Sequence, residues 1–373
     1  MKKKVCHIST AHMENDSRIL YKECYSLKRA GYNVSFIVTS NKEKNINGVD
    51  IIPLSQCTSR RERIIKKRKE AYQKALEIDA DIYHFHDPEL INIGRKLKKK
   101  GKKVIYDVHE DMPKQILTKT YLGSMWIRKI VSKIFNFYEK SNSKHFDAII
   151  TPQEKIKEAF ESVSDNITII KNYAIKDSSK DSFNQLGITE REIDEDKLIL
   201  IYVGSITKIR GIREIINATV PFNGRVELWL LGIWENEEIK HECERLEGYK
   251  FTKYLGVVSP DEVCKYIKKA DIGLSVLYPT INYKEAIPTK VFEYMACGKP
   301  VILSDFEYWR FLFGNVGSYV NPKDNDDIVK AIDLYLKDRD AMKNQGAINA
   351  KVFDEKFSWD LQEKKLLNLY SKL

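Results

Sequence analysis

Short apolar runs of strand length alternate along this chain with longer segments whose apolar residues recur every three or four positions. Residues 5–9, 34–39, 82–85 and 104–107 read as strands, with amphipathic helices over 17–30, 63–77 and 89–100 between them. Gly31 and Gly101 stand just past two of these helices, where a left-handed C-cap belongs. Strand, helix, strand in repetition predicts parallel strands joined by right-handed crossovers, and residues 147–151 and 167–171 add further strands. Residues 175–196 are polar without a strong strand and read as a linker. A second series follows, with strands at 198–203, 226–231, 250–254, 272–275, 300–303 and 317–320, and a helical segment over 354–373 after an irregular 351–353. The predicted fold class is α/β: two Rossmann-like doubly wound domains, 1–174 and 197–352, facing across a cleft in which a ligand binds at the strand C-termini.

Composition narrows the class. A chain of 373 residues that is 43% hydrophobic supports two cores and excludes disordered or fibrous architectures. No window approaches the ~18 consecutive apolar residues of a membrane span. The start Met1-Lys2-Lys3-Lys4 leads directly into a strand containing His7, without the apolar stretch of a signal peptide, so the expected location is cytoplasmic. Six scattered cysteines form no Cys-x-x-Cys pair, so they are expected to be buried free thiols, and no metal site is expected.

The net charge of +10 is concentrated in the first half, where residues 1–170 hold 33 Lys and Arg against 21 Asp and Glu. The excess gathers at Arg60–Lys69, Lys96–Lys103 and Lys114–Lys144. Over residues 121–135, Tyr121, Met125, Trp126, Ile127, Ile130 and Ile134 interleave with Arg128, Lys129 and Lys133, as in an interfacial helix. An anionic membrane surface is therefore the expected partner of the basic N-terminal domain, which would make the protein peripheral at the inner face of a membrane. No zinc spacing, RNP-type strand or recognition helix points to nucleic acid.

The glycine fingerprint of a dinucleotide fold is missing after the first strand, which runs into Ser9-Thr10-Ala11-His12-Met13-Glu14-Asn15-Asp16, and no Walker lysine motif occurs. NAD enzymes and P-loop ATPases are disfavoured. In the second half, Gly204-Ser205-Ile206-Thr207-Lys208-Ile209-Arg210-Gly211 delivers two cations to a helix start, a place suited to a pyrophosphate and equally to an ordinary surface loop. Further on, Glu285 and Glu293 flank Pro288, Thr289 and Lys290, which open a helix. Carboxylates accept from paired hydroxyls, so Glu293 can hold a ribose and Glu285 a hexose, with the helix start donating to phosphate.

The stretch from Pro288 to Ile302, with the two glutamates, resembles the signature of the family-four retaining glycosyltransferases of GT-B fold, of the bacterial surface-polysaccharide type. The resemblance extends over Asp16-Ser17-Arg18-Ile19, Ala30-Gly31-Tyr32-Asn33-Val34, His84-Phe85-His86-Asp87-Pro88-Glu89-Leu90, Tyr106-Asp107-Val108-His109-Glu110 and Lys171-Asn172-Tyr173. It implies that Glu293 contacts the nucleotide ribose and Glu285 the transferred sugar, and that Arg210 takes the place of a phosphate-binding lysine. It implies that His109 reaches the donor sugar. The first domain becomes the acceptor side, with Asp107 and Glu110 as candidate contacts and Arg18 approaching phosphate. His86 and Asp87 are acceptor contacts or the cap of the helix at Pro88. Residues 353–373 become a helix packing back on the N-terminal domain. One position departs from the pattern: Ser205 stands where many members carry arginine, leaving Lys208 or Lys290 to supply the missing charge.

The implied activity is transfer, with retention and without a metal or other cofactor, from a nucleotide-sugar co-substrate to a saccharide or lipid-linked saccharide. UDP is the expected nucleotide on family frequency. A nucleotide-sugar epimerase on the same fold and a non-catalytic nucleotide-sugar-binding subunit remain open.

Overall fold

A computed structural model describes residues 2–57, 59–175, 197–258 and 260–373. The chain forms two compact units, Met1–Asn172 with Trp359–Leu373, and Tyr173–Ser358. Apart from Ile175, the expected linker lies outside the described residues.

The first unit holds eight strands: β1 Lys4–Met13, β2 Asn33–Thr39, β3 Lys44–Ile46, β4 Val49–Leu54, β5 Ile82–Phe85, β6 Lys103–Asp107, β7 Ala148–Thr151 and β8 Ile167–Ile169. Their order in the sheet is β3-β4-β2-β1-β5-β6-β7-β8. Every pairing is parallel except that of β3 with β4. The central strands are buried on both faces, which is why they read as continuous apolar runs rather than as alternation. The β3–β4 hairpin was not expected: β3 is a three-residue edge strand with two polar residues, and Asp50 and Pro53 interrupt the apolar run of β4.

Successive residues of β2 divide between the two faces. Ile37 joins Cys6, Ile8, Phe85 and Leu90 on one. Phe36 and Val38 join Ile19, Leu27 and Ile105 on the other, together with Trp359, Leu366 and Tyr370 from the helix following Ser358. That helix therefore completes a core begun by the first strand. The residues just before it belong elsewhere: Phe353 and Phe357 are buried in the core of the second unit. The helix Arg339–Val352 continues into a π-helical turn, Phe353–Phe357, and the irregularity falls at extended Ser358 rather than at 351–353.

The second unit is a six-stranded parallel sheet of β9 Leu198–Val203, β10 Val226–Leu231, β11 Thr252–Gly256, β12 Ile272–Ser275, β13 Val301–Ser304 and β14 Gly317–Val320, in the order β11-β10-β9-β12-β13-β14. The strand expected at 250–254 starts later, after a 3-10 turn over Glu247–Phe251. In both sheets the first strand lies between neighbours wound in opposite directions. The loops leaving β1 and β9 thus stand at topological switch points, where an open α/β sheet leaves a crevice.

Trp359 is 1% exposed, and its indole N–H donates to Ser26 Oγ at 2.9 Å. Trp359→Ala should destabilise the first unit by roughly 3–5 kcal/mol. Urea unfolding followed by a probe in that unit would show its transition moving to lower denaturant, with the transition of the second unit unmoved.

Candidate functional site

The loop after β9 is built around a backbone that only glycine tolerates well. Gly204 has φ +123°, and a Cβ there would lie 3.2 Å from an Arg210 guanidinium nitrogen and 3.4 Å from the Lys290 ammonium. Two cations from distant parts of the unit thus converge on one bare stretch of main chain. Arg210 arrives on a single 3-10 turn, Lys208–Arg210, which ends at Gly211 with φ +65°. A Cβ on Gly211 would meet the Val276 carbonyl oxygen at 2.1 Å, so the turn packs tightly on the segment after β12. Arg210 Nε donates to Tyr283 Oη at 3.3 Å, which aims the guanidinium.

Lys290 comes from the first turn of the helix Thr289–Ala296, whose start at Pro288 has no side-chain cap. Its ammonium is enclosed, has no hydrogen-bond acceptor, and sits 3.8 Å from the centroid of the Tyr202 ring. Burial, with Arg210 beside it, pushes the ammonium well below its ordinary pKa, while Glu293 one turn on acts in the opposite direction. Uncapped helix N–H groups, an arginine and a lysine lacking an acceptor form a cradle for a multiply charged anion.

The other residues expected in this unit are placed differently. Ser205 is exposed, and its carbonyl accepts from Tyr202 Oη at 2.7 Å. Lys208 is exposed, so of the two cations that could stand in for the missing arginine it is Lys290 that lies beside Gly204. Pro288 is buried and Thr289 exposed at the helix start, and Glu293 is half-buried on the same helix. Glu285 is exposed at the end of the short helix Ile281–Glu285.

In the first unit, the strand ends next to β1 gather an array of histidines and carboxylates. His7 on β1 and His84 on β5 are register partners, and His84 and His86 lie two residues apart along the pleat. His7 Nδ1 is 3.0 Å from His86 Nε2, His86 Nδ1 is 3.1 Å from His109 Nε2, and His109 Nε2 is 3.1 Å from an Asp107 oxygen. His109 retains 18% exposure and stands at the mouth of this row, while His7, His84 and His86 are buried. Burial pushes the His86 imidazole down to about 4 despite its Asp107 partner, and lowers His7 and His84 further below the usual range.

Three expectations are corrected here. Arg18 is buried and does not face a ligand: its Nε and Nη2 hold both Asp107 oxygens at 3.1 and 3.0 Å, and Nη1 donates to the Ile170 carbonyl at 3.0 Å. Asp107 is thereby also an internal group. Burial alone would raise its pKa, but Arg18 and His109 hold it well below the usual carboxylate range. Asp87 does not cap the helix at Pro88. One of its oxygens instead accepts from Thr10 N at 2.6 Å, Ser9 Oγ at 2.9 Å and Ala11 N at 3.2 Å, pinning the end of β1 to the end of β5. The expectation of buried thiols holds for Cys6, Cys24 and Cys243, whereas Cys57, Cys264 and Cys297 are half-buried.

His109 and exposed Glu110 line a cavity of about 530 Å³ with His12, Arg68, Lys119 and Tyr138. Glu23, His7, His84 and Tyr370 were not among the expected site residues. The available signal was a polar histidine at the same position of two otherwise apolar strands.

The helix Met125–Ser143 is inside out. Its buried positions are Ser132, Glu139 and Ser143, with Ser132 Oγ donating to the Pro113 carbonyl and Glu139 accepting from Tyr106 Oη at 2.7 Å. Burial raises the Glu139 carboxyl to about 7. Trp126, Ile134 and Phe137 are 71%, 64% and 75% exposed. Among the described residues, no helix is long and apolar enough to cross a membrane.

Two family models match the chain, one described as glycosyltransferase family 4 over residues 17–173 and one as glycosyl transferases group 1 over residues 187–352. Similar curated proteins include an O-antigen chain mannosyltransferase B of Escherichia coli, 29% identical over 46% of this chain and 45% of that protein. An uncharacterised glycosyltransferase of Methanocaldococcus jannaschii is 26% identical over 64% of this chain and 63% of its own length. The chain thus spans between about half and two thirds of these relatives. Among solved structures, a sucrose-phosphate synthase of Thermosynechococcus elongatus superposes with a TM-score of 0.73 at 17% identity, covering 100% of this chain and 99% of that one. HepE of Anabaena, solved in complex with UDP and glucose, does so with 0.68 at 12% identity over 100% of both chains. With the two models matching its two halves and the fold shared end to end, the chain belongs to the family-four, group-1 glycosyltransferases of GT-B fold.

Proposed function

We propose that the protein is a retaining glycosyltransferase that takes a sugar from a nucleoside diphosphate sugar, with UDP first among the candidate leaving groups, and passes it to a saccharide or lipid-linked saccharide in surface-polysaccharide assembly. The observation that carries this reading is the convergence of Arg210 and Lys290 on Gly204 beside an uncapped helix start. Negative charge grows on the leaving diphosphate as the glycosidic bond breaks, and preorganised cations and N–H groups answer it without reorganisation. In this reading those residues do the work usually given to a metal ion, Glu293 holds the ribose, Glu285 contacts the sugar, and His109 reaches the reacting centre. The O-antigen mannosyltransferase relative supports the polysaccharide context, and the UDP complex of HepE supports the nucleotide.

The acceptor side is assigned to the cavity around His109 and Glu110. Tyr138 and Phe135 bring that cavity to the helix whose apolar face is turned outward. An anionic bilayer fits that face because exposed Lys129 and Lys133 interleave with its apolar residues, whereas Arg128 turns inward to the Leu117 carbonyl. A lipid-linked acceptor would then enter the cavity from the surface that holds its tail. An epimerase or a non-catalytic binder would have no use for this arrangement.

A thermal-shift screen of UDP-, GDP- and dTDP-sugars should single out one base, since a ligand at a hundred times its Kd adds about 2.7 kcal/mol. Arg210→Met and Lys290→Met should each lower kcat/KM by about 10²–10³-fold with the fold intact. Retention of full donor turnover in both would remove the phosphate-binding role given to Arg210 and Lys290, no donor turnover in the wild type would remove the enzyme assignment, and donor consumption without an acceptor would favour the epimerase.

Because Lys290 lies below its ordinary pKa when the site is empty, a diphosphate beside it raises that pKa, and binding takes up a proton. The gain in affinity is complete below the empty-state pKa and is lost as pH rises through the bound-state value. Calorimetry of UDP binding in buffers of different ionisation enthalpy should show this uptake in the wild type and lose it in Lys290→Met.

Sedimentation with vesicles should show binding to phosphatidylglycerol-containing membranes and little to neutral ones, weakened by salt. Lys129→Glu with Lys133→Glu should cost about 1 kcal/mol per charge removed, and Trp126→Ala should weaken binding at any salt concentration.

A further inference from the structure

Behind His109, in the first unit, lies a pocket of polar atoms that the proposed reaction does not use. Glu23, on the π-helical turn Ile19–Cys24, is fully buried, and neither of its carboxylate oxygens receives a hydrogen bond. Arg18 Nε approaches one of them at 3.1 Å. The other faces three imidazole nitrogens, His7 Nδ1 at 3.9 Å, His84 Nε2 at 3.9 Å and His86 Nε2 at 4.0 Å. His84 Nε2 has no hydrogen-bond partner, and all four ligand atoms lie within 4.8 Å of one another. Tetrahedral zinc bonds of 2.0–2.1 Å place ligand atoms about 3.3 Å apart, between the 3.0 Å of His7 to His86 and the 3.9–4.0 Å of the carboxylate contacts.

The far side of each ring is also engaged. His84 Nδ1 is 2.8 Å from Tyr370 Oη, His7 Nε2 is 3.5 Å from the same oxygen, and His86 Nδ1 is 3.3 Å from Asp107. Outer partners of this kind fix ring orientation and aim the inner nitrogen at a metal. Charge balance points the same way. Glu23 and Asp107 put two carboxyl groups into a dry site with Arg18 beside both, so the second can ionise there only with a further cation. A buried uncompensated charge is costly and must be met by a proton or a cation.

We infer that His7, Glu23, His84 and His86 form a structural site for a first-row divalent cation, Zn²⁺ by the tetrahedral three-imidazole, one-carboxylate donor set. The cations proposed for the donor belong to the other unit, and the ion takes no part in transfer. Its role is to tie β1, β5 and the Ile19–Cys24 turn to Tyr370 of the helix that completes the core. With all four ligands buried, loading accompanies folding rather than following it.

The test is metal content of the full chain, produced in zinc-supplemented medium and, separately, unfolded with chelator and refolded with ZnCl₂, CoCl₂ or chelator alone. About one equivalent of zinc per chain, visible d–d absorption in the cobalt form and a higher melting temperature for the zinc-refolded than for the chelator-refolded protein are expected. Glu23→Gln and His84→Gln should lose both the equivalent and the absorption while keeping native far-UV circular dichroism. Absence of metal and of cobalt bands in the wild type would overturn the site, leaving a proton-holding hydrogen-bond network. An undiminished equivalent in the folded variants would overturn it too, by locating the ion elsewhere. If both variants fail to fold, the wild-type cobalt spectrum and the refolding comparison still decide.

Discussion

Charge held out of water without a matching counter-charge organises both halves of this protein. In the second unit the surplus is positive: the Lys290 ammonium is enclosed against Tyr202, and Arg210 presses on the same glycine backbone. In the first unit two buried carboxyl groups, Glu23 and Asp107, share the single guanidinium of Arg18. A folded chain retains such imbalances at a cost of several kcal/mol unless something from outside completes them. The positive pair faces the bare main chain at Gly204, and the carboxyl pair is walled in by histidines.

The sheet geometry makes both arrangements possible. Parallel strands place residues of the same register side by side and send their C-terminal ends to one edge. Thus His7 meets His84 across two strands, and the loop after β9 meets the segment after β12. Glycine supplies the rest: at Gly211 a side chain would collide with the Val276 carbonyl, and the turn that delivers Arg210 could not close.

Much of this was legible in the sequence, for definite reasons. Buried parallel strands announce themselves as unbroken apolar runs, and positive-φ glycines mark helix ends, so the two α/β series and the order of their elements could be read directly. The β3–β4 hairpin could not, because its edge strand is only three residues long and Asp50 and Pro53 break the apolar run of its inner strand. Motif residues of the second unit could be singled out because they cluster around two helix starts, at Gly211 and Thr289, where cations and carboxylates recur within a short span of sequence. In the first unit the same reasoning misplaced Arg18 and Asp87. Arg18 neutralises buried Asp107, and Asp87 serves four donors at the end of β1, and both duties depend on neighbours about 70 to 90 residues away along the chain that no local pattern reveals. Lys290 and Lys208 were indistinguishable by type, and only burial separated them.

The segment Trp359–Leu373 lies in the same unit as β1, whereas residues 173–358 are contiguous and self-contained. During synthesis the second unit can therefore acquire its whole core while the first still lacks Trp359, Leu366 and Tyr370 from one face of its sheet. The half translated first keeps that apolar face open until Trp359–Tyr370 has docked, so its core can close after that of the half translated second.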